Sequence, residues 1–132
     1  MMMNKSISKL QKEIHQFTRS KGFYETTDAI LENLSGKLDA KNINLEFDLT
    51  AHGILLNLEI VKRLMLVNTE ISEAVESLRE ITPNPSNFKE EIADAVIRLF
   101  DICEWLNIDL EAEIDKKMKY NNTRPYLHSK RF

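Results

Sequence analysis

The chain has 132 residues, of which 42% are hydrophobic and 30% are charged, and it contains only three glycines and three prolines. This composition predicts a single all-α domain over residues 1–132 and argues against collagen-like, disordered and all-β classes. The net charge of −3 gives no general attraction to nucleic acid or to anionic membranes, so neither is expected as a partner.

Two helices are predicted before residue 41. The first is capped by Ser6 or Ser8 and runs to about Arg19. Its apolar residues recur at helical spacing on one side, which is the expected buried side: Ile7, Leu10, Ile14 and Phe17. The second and weaker helix is predicted from Thr26 to Ala40, with an interruption at Ser35-Gly36.

A connecting loop is expected from Lys41 to Asp48, because its Asn and Asp side chains favour turns. The main element follows as one long helix from Thr50 to Ile81. Its predicted buried stripe consists of Ile60, Leu64, Val67, Ile71, Ala74, Val75 and Leu78. The prolines in the run Thr82 to Asn87 end this helix.

The next helix is predicted to begin at an Asn87 cap, with Glu90 as the partner in a capping box. Its expected buried stripe consists of Ile92, Ala95, Val96, Leu99, Ile102, Cys103 and Leu106. The segment Asn107-Ile-Asp makes a turn, and Asp109 caps a last helix that ends at about Tyr120.

Each of the two middle helices carries two acidic residues three positions apart. Glu70 and Glu73 share one side of the long helix, and Glu91 and Asp94 repeat the spacing on the next helix. If these helices pack antiparallel, the two pairs face each other, and four carboxylates so close need protons or a cation to offset their repulsion. Oxygen ligands without Cys or a suitably spaced His favour Mg²⁺, or Mn²⁺ as a substitute, over zinc, and indicate a phosphate site.

A basic segment near the end of the chain complements these acids. Between Lys116 and Arg131 there are six Lys or Arg residues and no acidic residue. Arg124 can hold phosphate with its planar fork, Lys117 supplies a mobile charge, and Asn121 adds a neutral hydrogen-bonding group one turn later. Lys117, Asn121 and Arg124 are therefore the predicted substrate-binding residues.

The expected compartment is the cytoplasm. Cys103 is the single cysteine, so no internal disulfide can form, and nothing suggests an oxidising environment. No stretch approaches the roughly 18 apolar residues of a membrane span, and the first residues lack the apolar segment of a signal peptide.

Three stretches, in this order, resemble the MazG-like nucleotide pyrophosphohydrolases: Leu66-Val-Asn-Thr-Glu-Ile-Ser-Glu-Ala-Val-Glu, Glu90-Glu-Ile-Ala-Asp-Ala-Val-Ile-Arg-Leu-Phe-Asp and Lys117-Met-Lys-Tyr-Asn-Asn-Thr-Arg-Pro. The resemblance covers residues 64–132, which form the motif-bearing core of the domain. It implies an all-α fold with a four-helix core completed by dimerisation. It also implies hydrolysis of a nucleoside triphosphate, either NTP or dNTP, to a monophosphate and pyrophosphate with Mg²⁺.

The resemblance also assigns individual roles. It makes Glu70, Glu73, Glu91 and Asp94 the metal ligands and catalytic carboxylates, and it makes Lys117 and Asn121 phosphate contacts. Residues 23–59 match no part of the pattern. In such enzymes a residue of the first helices contacts the base, and the candidates here are His15, Phe17 and Phe23.

Other interpretations of these residues stay open. Acid pairs also occur on ordinary solvated helix faces, and a basic tail can serve solubility alone. The chain would then be a non-catalytic helical module for oligomerisation or interaction. Hydrolysis of dUTP or of phosphoribosyl-ATP, within the same superfamily, is a further alternative. A homodimer or homotetramer is expected on physical grounds as well, because amphipathic helices of this length expose more apolar surface than a small monomer covers.

Overall fold

The computed structural model describes residues 5–35, 51–82 and 84–131, and over these ranges it is helical without any strand. The helices in these ranges are α1 (Ile7–Ser20), α2 (Glu25–Ser35), α3 (Ala51–Arg79), α4 (Pro85–Trp105), α5 (Leu110–Asn122) and a short 3₁₀ helix (Tyr126–Ser129). The predicted all-α class is therefore confirmed. None of these described helices combines the length and the apolar character needed to cross a membrane.

Side-chain caps begin α1 and α5 as predicted. Ser6 accepts a hydrogen bond from the backbone N–H of Lys9 at 3.2 Å, and Asp109 accepts one from Ala112 at 3.1 Å. Each cap satisfies one of the backbone donors that a helix leaves free in its first turn. The predicted turn before α5 is also confirmed, since Asn107 has a φ of 55°, in the left-handed region that asparagine tolerates.

The cap of α4 differs from the prediction. Asn84, not Asn87, caps this helix, and its side chain accepts a hydrogen bond from the backbone N–H of Ser86 at 3.0 Å. Pro85 is thus the first helical residue. Its fixed φ suits that position, and its missing N–H would have no helical partner there.

The long predicted helix is α3, which ends at Arg79, two residues before the predicted Ile81. Helix α2 begins at Glu25, close to the predicted start of the second helix. The predicted continuation of that helix to Ala40 and the predicted loop from Lys41 to Asp48 lie outside the described residues.

Helix α4 occupies the centre of the bundle. It packs along α3 and against α1, while α2 packs on α3 and α5 packs on α1. Helices α1 and α4 run antiparallel, because Gln11 pairs with Glu104 and His15 pairs with Asp101 in reverse order. The buried core is formed by Tyr24, Leu31, Leu56, Val67, Ala95, Ile102, Trp105 and Leu106.

The apolar stripes of α3 and α4 are only partly covered. On α3, Val67 and Ala74 are buried, but four residues predicted to be buried are 43% to 57% exposed: Leu64, Ile71, Val75 and Leu78. On α4 the corresponding exposed residues are Ile92, Val96 and Leu99, at 40% to 42%. The predicted burial is wrong at these seven positions, because each apolar arc is wider than its packed neighbour covers.

The buried residue of α1 is Gln11, whereas the predicted stripe residues Leu10 and Phe17 are exposed. The Gln11 amide donates to Glu104 Oε2 and to the backbone carbonyl of Ile108, each at 2.8 Å. Helix α1 is therefore attached to α4 partly through polar contacts, which apolar periodicity does not reveal.

Candidate metal centre

Acidic side chains of α3 and α4 meet at the interface of these two helices. Glu70, Glu91 and Asp94 each place a carboxylate oxygen within 4.8 Å of the other two, and we call these three residues the acidic cluster. Glu70 is buried, Glu91 is half-buried and Asp94 is exposed, so the cluster extends from the helix interface to the surface. Acidic residues of the two predicted pairs thus converge across this interface.

Glu73, the fourth predicted ligand, lies beside the acidic cluster and outside the group of oxygens within 4.8 Å. Burial raises the pKa of Glu91 above its ordinary value, and the charge of Glu73 and contacts with the carboxylates of Glu70 and Glu73 raise it further. Carboxylates that raise the pKa of a neighbour in this way favour a proton or a cation between them.

The donor set suits a hard divalent cation. One carboxylate oxygen from each of the three residues lies within 4.8 Å of the other two, close enough for the three side chains to share one ion. All three donors are carboxylates, and neither His nor Cys belongs to the group, which favours Mg²⁺ or Mn²⁺ over zinc. Three carboxylates also leave coordination positions for water and phosphate oxygens, as Mg²⁺ usually requires. The donor chemistry of these residues therefore suits a hard divalent cation.

A cationic side chain of the protein already contacts this cluster. Arg98 Nε donates to Glu70 Oε1 at 2.6 Å, and the side chains are 41% and 10% exposed, respectively. Arg98 is not among the predicted site residues. Its position one helical turn after Asp94 is the sequence signal that places it on the same side of α4.

The predicted phosphate-binding residues belong to α5 and the residues just after it. Lys117 Nζ and the Arg124 guanidinium lie 4.8 and 5.9 Å from the centroid of the Tyr120 ring. The Asn121 Oδ1 atom is buried and has no hydrogen-bond partner within the described part of the chain. No hydrogen bond or ion pair among the described residues links this segment to the acidic cluster, so no polar contact joins the two predicted sets.

Two neighbouring lysines of the basic segment are already paired within α5. Lys119 Nζ lies 2.6 Å from Asp115, and Lys116 Nζ lies 4.0 Å from Glu113. Both pairs are exposed and weak. Lys117, by contrast, contacts the Tyr120 ring and has no carboxylate partner in the described ranges.

His15, a candidate for base recognition, has both ring nitrogens engaged. Nδ1 lies 2.7 Å from Asp101 Oδ1, and Nε2 is 2.9 Å from Arg19 Nε. Because arginine only donates, Nε2 is the acceptor, and Nδ1 carries the proton that is donated to Asp101. The other two candidates, Phe17 and Phe23, are exposed.

Asp101 belongs to a buried polar network that is absent from the sequence-based predictions. Its second oxygen accepts from Tyr24 OH at 2.8 Å, and the Arg63 guanidinium stacks 3.8 Å above the Tyr24 ring and 5.0 Å from the Trp105 ring. Burial, which the charge of Arg63 only partly offsets, raises the pKa of Tyr24 well above its ordinary value. Arg63 Nε is buried without a hydrogen-bond partner in the described part of the chain, while the other polar groups engage one another and hold the helices together.

Comparisons of the chain with protein-family models, with curated proteins and with solved structures gave no match. Any function assigned to the chain therefore rests on its own residues. These are the acidic cluster with Glu73 and Arg98, and the motifs that resemble the MazG-like enzymes.

Proposed function

We propose that this chain is a MazG-like hydrolase that cleaves a nucleoside triphosphate, NTP or dNTP, to a nucleoside monophosphate and pyrophosphate with Mg²⁺. The observation that carries the proposal is the convergence of Glu70, Glu91 and Asp94 from two helices to within 4.8 Å. Such a group needs a counter-charge, and a divalent cation with phosphate ligands supplies it. The resemblance over residues 64–132 supports the same activity.

The carboxylates have separate roles in this proposal. Glu70, Glu91 and Asp94 would hold the cation, which supplies Lewis-acid polarisation of the phosphate and offsets developing negative charge. Glu73 adjoins Glu91 from outside the group, so its carboxylate either completes the ligand set or accepts the proton of the attacking water. The α–β phosphoanhydride bond breaks, and pyrophosphate departs.

The basic segment would bind the phosphates. Lys117 and Arg124 carry charges without a carboxylate partner in the described ranges, and the orphaned Asn121 Oδ1 lies between them in sequence. Because no polar contact joins this segment to the acidic cluster within the chain, a substrate that bridges the two would connect them.

A second copy of the chain is part of the proposal. The exposed apolar residues of α3 and α4 form a surface of the kind that monomeric proteins rarely leave in water. Pairing these faces in a homodimer would complete the packing of both helices. The same surface in a larger assembly would give a homotetramer.

Pyrophosphate release tests the proposed activity. Purified protein is incubated with each NTP and dNTP, with dUTP and phosphoribosyl-ATP in the panel, with and without Mg²⁺ or Mn²⁺. Release of pyrophosphate, and not of orthophosphate, is expected for at least one of them only when the metal is present.

A matched pair of variants ties this activity to the cluster. Glu91→Gln is expected to lower kcat/KM by about 100-fold or more, because it removes a charged ligand. Glu90→Gln, at the exposed neighbouring position, is expected to leave kcat/KM within about twofold. Equal activity of the two variants would contradict the assignment.

The exposed apolar faces also favour a second candidate function, a non-catalytic module for oligomerisation. This alternative predicts no rise in melting temperature with millimolar Mg²⁺ and a non-hydrolysable nucleotide. A nucleotide site must instead stabilise the folded state by mass action.

A further inference from the structure

We propose that Arg98 is a substrate-binding residue, whose guanidinium contacts a phosphate group of the substrate beside the acidic cluster. The inference rests on the proposed function, because it concerns the same site. It starts from the hydrogen bond between Arg98 Nε and Glu70 Oε1, which measures 2.6 Å.

This hydrogen bond fixes one part of the guanidinium and leaves the rest open. Nε is the nitrogen next to the aliphatic stem, so its use by Glu70 does not occupy the fork formed by Nη1 and Nη2. Neither of these terminal nitrogens has an acceptor within the described part of the chain. A guanidinium carries five N–H donors, and four of them therefore remain for a ligand.

The exposed fractions of Arg98 and Glu70 also indicate that the Arg98 fork is open to a ligand. Glu70 is 10% exposed and Arg98 is 41% exposed, so the pair joins a buried carboxylate to a cation at the surface. Asp94, the exposed member of the cluster, lies one turn earlier on α4, and Arg98 is therefore on its side of the helix. A phosphate that contacts a cation held by the cluster would lie within reach of this fork.

The charges at the site favour a phosphate as the ligand. Glu70, Glu73, Glu91 and Asp94 contribute four negative charges, and the single positive charge of Arg98 is too small to offset them. A divalent cation held by the cluster would offset two of these charges, and a donor fork beside it would add a further positive contact for an anionic substrate. Planar guanidinium groups match two phosphate oxygens at once, which a lysine cannot do.

Arg98 could instead serve only to orient Glu70, and the two roles differ in what they stabilise. An orienting residue supports metal binding itself. A phosphate-binding residue leaves metal binding nearly unchanged and strengthens the binding of a metal–phosphate complex. Measuring the two affinities separately tells the roles apart without any measurement of turnover.

The test uses isothermal titration of the full chain with Mn²⁺ alone and with the preformed Mn²⁺ complex of inorganic tripolyphosphate, which has no base or sugar. In Arg98→Gln, the affinity for the complex is expected to fall about 10- to 100-fold, the usual value of hydrogen bonds to a charged group. The affinity for Mn²⁺ alone is expected to stay within about threefold. Arg98→Lys keeps the charge beside Glu70 but lacks the fork. Its affinity for the complex is therefore expected to fall by at least half as much as that of Arg98→Gln, when both changes are expressed as logarithms.

The control is Arg79→Gln, which removes an exposed arginine of α3 that pairs with Glu76 away from the cluster. It is expected to change neither affinity. Circular dichroism of each variant verifies that the helices are intact, and Arg98→Lys retains a counter-charge for Glu70 if Arg98→Gln folds poorly.

Other outcomes overturn the inference in distinguishable ways. An equal loss of both affinities in Arg98→Gln would make Arg98 a positioning residue for Glu70. No loss of either affinity would make it a surface counter-ion, while the proposed function would survive. A wild-type chain that binds neither Mn²⁺ nor the complex would overturn the proposed function together with this inference.

Discussion

Asp101 connects three parts of the bundle through its two oxygens. One oxygen accepts from His15 of α1 and the other from Tyr24, just before α2, while Asp101 itself belongs to α4. The carboxylate is 6% exposed, so no bulk water replaces a lost partner. Each donor to Asp101 therefore contributes to stability through the cost of leaving that carboxylate unsatisfied.

Removal of one donor to Asp101 should lower the free energy of unfolding by a measurable amount. Tyr24→Phe deletes only the hydroxyl group and is expected to lower the free energy of unfolding by about 1–3 kcal/mol. Tyr126→Phe, at a residue that is 90% exposed, is expected to change it by less than about 0.5 kcal/mol. Urea denaturation followed by circular dichroism gives both values, and equal effects would mean that the buried hydroxyl contributes nothing specific.

Glu59 of α3 is a half-buried acceptor with a clear consequence for pH. It accepts from Thr27 Oγ1 at 2.8 Å and from Lys62 Nζ at 2.6 Å. Burial opposes its charged form, but these hydrogen bonds and the charges of Lys62 and Arg63 outweigh burial and lower the pKa of Glu59.

The direction of this shift fixes the direction of the pH effect. A lowered pKa means that Glu59 stabilises the fold above the unfolded-state pKa, and that this contribution is lost as the pH falls through the folded-state pKa. Glu59→Gln is expected to cost about 1–2 kcal/mol at neutral pH and clearly less below about pH 4. Urea titrations at both pH values measure the difference.

Glu76→Gln is the control for this pH effect, since Glu76 pairs with Arg79 in an exposed ion pair. Its effect is expected to stay under about 0.5 kcal/mol at either pH. A loss in Glu59→Gln that was the same at both pH values would show that charge plays no part in the role of Glu59.

At the scale of single elements, the start of α4 gives the sharpest comparison of two similar residues. Asn84 caps the helix, whereas Asn87 lies within its first turn and is exposed. Asn84→Ala is expected to lower the free energy of unfolding by about 1 kcal/mol through loss of the cap. Asn87→Ala is expected to be neutral or slightly stabilising, because alanine is the better helix former. Thermal or urea denaturation of the two variants measures this contrast, and the reverse order would restore Asn87 as the cap.

Elements whose signals are local could be predicted from the sequence. Ser6 and Asp109 cap their helices through backbone groups three residues away, so the pattern is visible in a short window. The burial of Gln11 could not be predicted, because it depends on Glu104 and on the Ile108 carbonyl, more than ninety positions later. The cap of α4 is an intermediate case between these two. Asn84 and Asn87 are both plausible caps, and Pro85 favours Asn84 because proline suits the first helical position.

The candidate site also has parts that the sequence predicts and parts that depend on how the helices pack. The acid pairs follow from spacing within each helix, and their convergence follows from antiparallel packing across a short connection. The hydrogen bond between Arg98 and Glu70 depends on the rotamer of Arg98, and spacing along α4 does not determine that rotamer. The relation between the basic segment and the cluster depends on how α5 packs, and α5 contacts α1, a helix from the opposite end of the chain.

At the scale of the whole molecule, the half-covered faces of α3 and α4 predict self-association. Leu78→Arg is expected to convert a homodimer, or a larger oligomer, into monomers while the helical content stays unchanged, because Leu78 is 57% exposed in the single chain. Phe17→Arg changes an equally exposed apolar residue of α1 and is expected to leave the assembly intact. Sedimentation velocity at micromolar concentration measures both, and a monomeric wild type would contradict the prediction.

The contact of Arg63 with two aromatic rings has a practical consequence. Trp105 is the single tryptophan of the chain, and it is 3% exposed beside that guanidinium. It lies eleven residues after Asp94, or about 16 Å along α4. Its fluorescence emission should therefore shift to longer wavelength when the helices separate and stay nearly constant when a ligand occupies the cluster. The protein thus contains its own optical reporter of unfolding, which allows loss of structure to be distinguished from loss of binding in every variant described above.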